Sequence, residues 1–219
     1  MKMLSLSGSR NHQGRTAQAI NALHEGFVKS GGTAESVFLL DLKLERCRQC
    51  ESDGWGICRR DGTCIIEDDF DSLVEKVKAS DIVVFANPVY FADLSESMRS
   101  FTDRLRRIRF RRVTSTAQGM PPAQGGPPAQ GAPGTPGVPG MQGQPAVGIC
   151  LSGGGGGGAP NAAINLERVL QTCGFNLVDM ILIRRQNLDL KLGVLKLTGE
   201  WLATPKNLVN TPPPPPPPR

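Results

Sequence analysis

The chain has 219 residues, 39% of them hydrophobic, enough for one sizeable core, while its 26 Gly and 18 Pro gather in segments that do not pack. Its net charge of +5 is local: residues 99–112 hold seven Arg against one Asp, so the remainder is close to −1 and the chain is no general polycation. The opening apolar run, Met1 to Leu6, is too short for a signal peptide and no stretch approaches a membrane span. Six Cys without an export signal point to a reducing compartment, so a cytoplasmic protein is expected.

Residues 2–7 read as a first strand. The polar turn 8–14 follows, then a helix over 15–30 with Ile20, Leu23 and Phe27 on one side, ending at Gly31-Gly32. A strand, a small-residue turn and a helix N-terminus form an anion site in outline. The first helical N–H groups lack internal partners, and the macrodipole places positive potential there. Ser9, Asn11 and Thr16 add donors, Arg15 a full charge, and Gly8 and Gly14 close backbone approach. The spacing is neither the Walker pattern nor GxGxxG. These residues alone therefore allow a phosphate cradle or an ordinary hydroxyl-capped turn.

Residues 34–40 read as a second strand and 45–67 as a charged, cysteine-rich excursion. Asp68 or Asp69 then caps a helix carrying Phe70, Leu73, Val74 and Val77 at helical spacing. The near-continuous apolar run 81–86, ending at Asn87-Pro88, suits a central strand of a parallel sheet. Asp93-Leu94-Ser95-Glu96 reads as a capping box opening a long helix, with Leu94, Met98, Phe101, Leu105 and Ile108 as its apolar stripe. Residues 114–145, uncharged and dominated by Gly, Pro, Ala and Gln, read as a flexible low-complexity insertion before the fourth strand. That strand is 146–151. Ser152 and six glycines (153–158) lead into a helix carrying Ile164, Leu166, Val169, Leu170 and Cys173, ended by Gly174. A fifth strand (177–183), a last helix (190–203) and a polyproline II tail over Pro212–Pro218 complete the chain.

Five strands alternating with helices imply an open parallel α/β sheet, whose ligand sits at the carboxyl ends of the strands, at the switch point. Loops 8–16, 87–93 and 152–160 would share that rim, and their convergence favours the phosphate reading. Tyr90 and Phe91 stand where they would cover a planar ligand or simply pack the loop down. The glycine run exposes N–H groups to a ring's oxygens and nitrogens, and a mere linker would be out of place between a core strand and a core helix.

Taken together, Gly8-Ser9…Gly14-Arg15-Thr16, Cys47-Arg-Gln-Cys50, Cys64 ahead of Asp68-Asp69, Pro88-Val89-Tyr90-Phe91, Phe101-Thr-Asp-Arg104 and Gly153–Gly158 resemble the flavodoxin-like NAD(P)H-dependent FMN reductases, including their iron–sulfur flavoprotein branch. The resemblance implies a flavodoxin-like three-layer fold with a five-stranded parallel sheet of order 2-1-3-4-5. It also implies one FMN-binding domain over 1–205, followed by the proline-rich tail 206–219. FMN would have its phosphate in loop 9–16, held by Ser9, Asn11, Gly14, Arg15 and Thr16. Its ring would lie between Pro88, Val89, Tyr90 and Phe91 on one side and Ser152, Gly153, Gly154 and Gly155 on the other. NADH or NADPH would give a hydride to the flavin, and electrons would pass to a quinone, flavin, metal ion, nitro or azo compound. No protein side chain is assigned a catalytic role, because the flavin carries the chemistry. Relatives commonly complete this site across a subunit interface, so a homo-oligomer is expected. The family often has Pro then Arg after the first Ser, where this chain has Arg10 and Asn11.

Cys47, Cys50, Cys58 and Cys64, spaced C-x2-C-x7-C-x5-C, could hold a [4Fe–4S] cluster, hold zinc, or remain structural or redox-labile thiols. In the iron–sulfur flavoproteins the third cysteine follows the second more closely; here residues 51–57 lengthen the gap. Cys150 and Cys173 read as packing residues, and His24 as a surface residue. The arginines of 104–112 could meet nucleic acid, an acidic partner or the 2′-phosphate of NADPH, but a solvated helix face accounts for them more simply. Two rival functions stay open: an electron carrier serving a protein partner, and a scaffold that recruits partners through the insertion and the tail.

Overall fold

The computed structural model describes residues 1–108 and 143–208. Nearly all of the low-complexity insertion and of the proline tail lies outside the described residues, as do Arg109, Arg111 and Arg112. In β1 (Lys2–Ser7) every residue after Lys2 is buried, because this strand is covered on both faces. Then come α1 (Arg15–Lys29) and β2 (Thr33–Phe38). Leu39 and Leu40, expected to extend β2, instead make a short 3-10 turn, Leu39–Asp41, that launches the excursion. Inside the excursion a five-residue helix, α2 (Ile57–Asp61), forms where none is expected, closed by Gly62 in the left-handed region. The chain continues through α3 (Phe70–Lys78), β3 (Ile82–Val89) and α4 (Glu96–Ile108), then β4 (Pro145–Ser152), α5 (Ala159–Cys173), β5 (Asn176–Arg184) and α6 (Leu188–Leu202).

The sheet is parallel throughout, with order β2-β1-β3-β4-β5, as expected. α1 and α6 cover one face, packing Ile20, Leu23, Phe27 and Leu195 on Met3, Ile82 and Val84. α3, α4 and α5 cover the other, packing Phe70, Phe101 and Leu166 on Leu4, Leu6, Val83 and Phe85. Strand order reverses between β1 and β3, so the carboxyl ends of these two strands mark the switch point.

Several details differ from the sequence reading, each for a local reason. β3 runs past Asn87-Pro88 because Pro88 and Val89 pair with Leu151 and Ser152 of β4. β1 pairs with β3 only as far as Ala86, so β3 is an edge strand beyond that point and tolerates proline. α4 is capped by Ser95 rather than Asp93: Met98 N–H donates to Ser95 Oγ at 3.4 Å. Ile164 is half-exposed instead of core. His24 is partly buried, with Nε2 2.8 Å from the Ser5 hydroxyl, and burial lowers its pKa. At the head of β4, Gln144 Nε2 donates to the Val77 carbonyl at 2.8 Å and to the Ser80 carbonyl at 2.6 Å.

Candidate active site

The turn between β1 and α1 is organised from within. Ser9 Oγ accepts from Asn11 N–H at 3.2 Å, and Asn11 Oδ1 accepts from Gln13 N–H at 2.9 Å. Both side chains thus use acceptor atoms to shape the turn and keep donors in reserve: the Ser9 hydroxyl hydrogen and the Asn11 amide. Gly14 caps α1 without a side-chain hydrogen bond, and the N–H groups of Arg15, Thr16 and Ala17 have no acceptor among the described residues. Thr16 is buried beneath them while Arg15 is exposed. Donors in surplus at a helix N-terminus suit an anion that can only accept. Gly8 is needed for packing: its N–H donates to Ala86 O at 2.9 Å, and a Cβ there would lie 2.4 Å from Ser95 Oγ.

The second wall rises from β3. Asn87, wholly buried, accepts from Ser95 N–H at 2.9 Å and donates to the Pro88 carbonyl at 2.9 Å. Tyr90 and Asp93 exchange backbone hydrogen bonds of 3.2 and 2.9 Å around Phe91 (φ +50°) and Ala92 (φ +62°). Two consecutive left-handed residues make a tight turn that is unfavourable by about 1 kcal/mol or more for each non-glycine residue. Asp93 holds it: its carboxylate accepts from Arg99 Nη2 at 2.6 and 2.7 Å, from Asn165 Nδ2 at 3.0 Å and from Leu94 N–H at 2.8 Å. Burial works against the Asp93 carboxylate, but these donors outweigh it and its pKa falls below the ordinary value. The turn leaves Phe91 fully exposed and Tyr90 about half so.

The third wall is the glycine loop after β4. Gly158, at φ +78°, comes so close to Ala92 that a Cβ would lie 2.7 Å from it, so this loop and the aromatic turn touch. Gly153, Gly154 and Gly155 are exposed, and a Cβ on any of them would meet nothing within 4 Å. The Ser152 hydroxyl donates to Ile183 O at 3.3 Å and so faces β5. Pro88 and Val89 lie in β3, Val89 paired with Ser152, rather than in the loop itself.

The cysteine excursion is fastened by side chains. Arg104 of α4 is 1% exposed and Asp68 5%, and the two form a bidentate pair at 2.5 and 2.9 Å. The same guanidinium donates to the carbonyls of Glu45 (3.1 Å) and Ile66 (3.5 Å) and lies 4.1 Å over the Phe70 ring. Asp68 also accepts from Glu45 N–H (2.8 Å) and Phe70 N–H (3.1 Å), so both ends of the excursion meet on one ion pair. Burial opposes the Asp68 carboxylate, yet the Arg104 and backbone donors hold its pKa below the ordinary value. The solvated helix face expected for the arginines is therefore corrected: Arg104 is core, Arg99 fixes the aromatic turn, and Arg107 lies 4.9 Å over Trp55 and donates to the Gly54 carbonyl. The missed signal was position, since Arg104 falls three residues after Phe101 and four before Ile108, on the apolar stripe.

Cys47, Cys50, Cys58 and Cys64 are free thiols that line one pocket, together with Trp55, Ile66, Arg104 and Arg107. Burial raises the Cys58 pKa. Among the described residues no three His, Cys, Asp or Glu side chains gather as a single-ion site. A cluster asks instead for one thiolate on each iron, spread around a cavity. Cys150 and Cys173 are buried as expected, and burial pushes the Cys150 thiol up to about 12.

The sequence model of the NADPH-dependent FMN reductase family matches residues 1–186. The chain belongs to that family. Within reach of this FMN reductase homologue are iron–sulfur flavoproteins of Methanocaldococcus jannaschii, 30% identical over 109 residues (50% of this chain, 54% of the relative), and of Methanosarcina thermophila, 31% identical over 104 residues (48% and 52%). The chain spans about half the length of the curated relatives it matches. Solved structures of the same fold include a flavone reductase (TM-score 0.62, 17% identity, 93% of this chain and 62% of that one). Another is an NAD(P)H:quinone oxidoreductase from Methanothermobacter marburgensis (TM-score 0.59, 16% identity, 92% and 98%). Among the described residues no helix is long and apolar enough to cross a membrane.

Proposed function

We propose that this FMN reductase homologue binds FMN on the rim and acts as an oxidoreductase, taking a hydride from NADH or NADPH and delivering electrons to a small-molecule acceptor or a redox protein. The observation that carries the reading is the open N-terminus of α1 at the switch point, walled by an outward-facing aromatic turn and a glycine loop that touch at Gly158 and Ala92. Bound flavin supplies the hydride and single-electron chemistry; the chain binds and orients it. The amides of Arg15, Thr16 and Ala17, the Ser9 and Thr16 hydroxyls, the Asn11 amide and the Arg15 guanidinium would hold the phosphate. Pro88, Val89, Tyr90 and Phe91 would border the ring on one side, Ser152 and Gly153–Gly155 on the other. Residues 1–205 would act as one FMN-binding domain, as a homo-oligomer in the cytoplasm. An anaerobic absorption spectrum, taken before and after NADPH, tests this. Flavin bands that bleach support the reductase, flavin that stays oxidised shifts the assignment to an electron carrier, and a colourless protein that takes up no FMN overturns the rim site.

The cysteine pocket favours a second reading alongside the first. Cys47, Cys50, Cys58 and Cys64 would hold a [4Fe–4S] cluster, and its electrons would serve a protein partner. Support comes from four thiols on one pocket and from a buried, unpaired Nε–H on each of two arginines lining it. Iron and acid-labile sulfide are expected after anaerobic purification or reconstitution. Their absence overturns this reading and leaves the flavin site standing.

A further inference from the structure

We infer that Arg104 and Arg107 are the built-in counter-charge of the cysteine pocket, each donating its Nε–H to a sulfur of an anionic iron–sulfur cluster and thereby raising its reduction potential. The inference rests on the cluster reading above. Both arginines line the same pocket as Cys47, Cys50, Cys58 and Cys64. Arg104 is clamped through its Nη atoms by Asp68, Glu45 O and Ile66 O. Arg107 is clamped by the Gly54 carbonyl and the Trp55 ring. In both, the Nε atom is buried and has no acceptor among the described residues. A buried donor without an acceptor is unfavourable, and more so when charged, so two beside one pocket point to an acceptor the polypeptide does not itself provide.

The pocket walls narrow the choice of acceptor. They carry thiols, arginines, glycines and apolar side chains, with no carboxylate among them. A cluster on four thiolates is an anion whose sulfurs accept hydrogen bonds, and positive charge with N–H donors at sulfur favours its more negative, reduced state. The long gap between Cys50 and Cys58 acquires a purpose on this view: it contains Gly54 and Trp55, the two residues that fix Arg107.

Arg107 carries the test, because it is only half-buried and lies outside the core. The full chain and its Arg107→Gln and Arg107→Lys variants are reconstituted anaerobically with ferrous iron and sulfide, then followed by iron and sulfide analysis and by potentiometry read through the electron paramagnetic resonance signal. Arg107→Gln is expected to disfavour reduction about tenfold, 59 mV for a one-electron couple, with Arg107→Lys in between. The double variant Arg104→Gln/Asp68→Asn, which removes the buried charges together, is expected to surrender iron to a chelator several-fold faster than the unmodified protein. Full cluster content with an unshifted potential in Arg107→Gln overturns the inference. An unmodified chain that takes up no iron and sulfide overturns the cluster reading on which it stands.

Discussion

The rim and the cysteine pocket of this FMN reductase homologue are built by opposite means. The rim is made of backbone: a bare helix N-terminus, two left-handed residues in a turn and a run of glycines, with side chains such as Ser9 and Asn11 serving to shape the loop. The pocket is tied to the core by side chains of α4: the buried Arg104–Asp68 ion pair, which meets the excursion at both Glu45 and Ile66, and Arg107, which holds Gly54 and Trp55. Backbone construction distributes the work over many weak, local restraints. Two charged side chains, of which Arg104 is the buried one, concentrate it, so the pocket should fail abruptly where the rim degrades gradually.

The largest effect is expected from Arg104→Ala. It leaves Asp68 buried and unpaired and should cost about 3–5 kcal/mol in urea unfolding, while Arg104→Met with Asp68→Leu recovers most of it. Acid should act on the same point. Because the folded-state pKa of Asp68 lies below its unfolded value of about 3.9, its contribution is complete above that value and is lost as pH falls through the folded one. Hydrogen exchange at pH 7 and near pH 3 should therefore show residues 42–67 opening before the rim, and Asp68→Asn should remove the difference between the two pH values. On the rim, Gly8→Ala forces a methyl against Ser95 and should destabilise by about 1–3 kcal/mol, with FMN affinity falling roughly tenfold in a fluorescence titration. The smallest effect is expected at Phe91. Phe91→Gly relieves a left-handed residue and should raise stability by about 1 kcal/mol, while removing an aromatic cover and slowing flavin reduction by NADPH a few-fold in stopped flow.

The same contrast governs what could be read from the residues alone. The alternation of strands and helices and the three rim loops were legible because each device is local: a strand, a turn and a helix start within nine residues, or six glycines in a row; the strand order came from the family resemblance. Arg104 was not, because its partners Glu45, Ile66 and Asp68 lie 36 to 59 positions away and nothing local marks them. Its place on the apolar stripe was the available clue, outweighed by the arginines around it. α2 escaped because five residues are too few to show a helical period, although Asp61-Gly62 marks its end. The extension of β3 through Pro88 depended on where β1 stops, a tertiary fact.

Gln144 has a consequence for how this chain can change over time. Standing just before β4, it ties the entry to that strand to the carbonyls of Val77 and Ser80 at the end of α3, and Ile108 is anchored in the core at the end of α4, so both flanks of the insertion are held by the described fold. Lengthening a connection adds only about 0.6 kcal/mol per doubling. The fold therefore carries a port between two fixed sockets, where sequence can be gained, lost or grafted without the fourth strand slipping out of place.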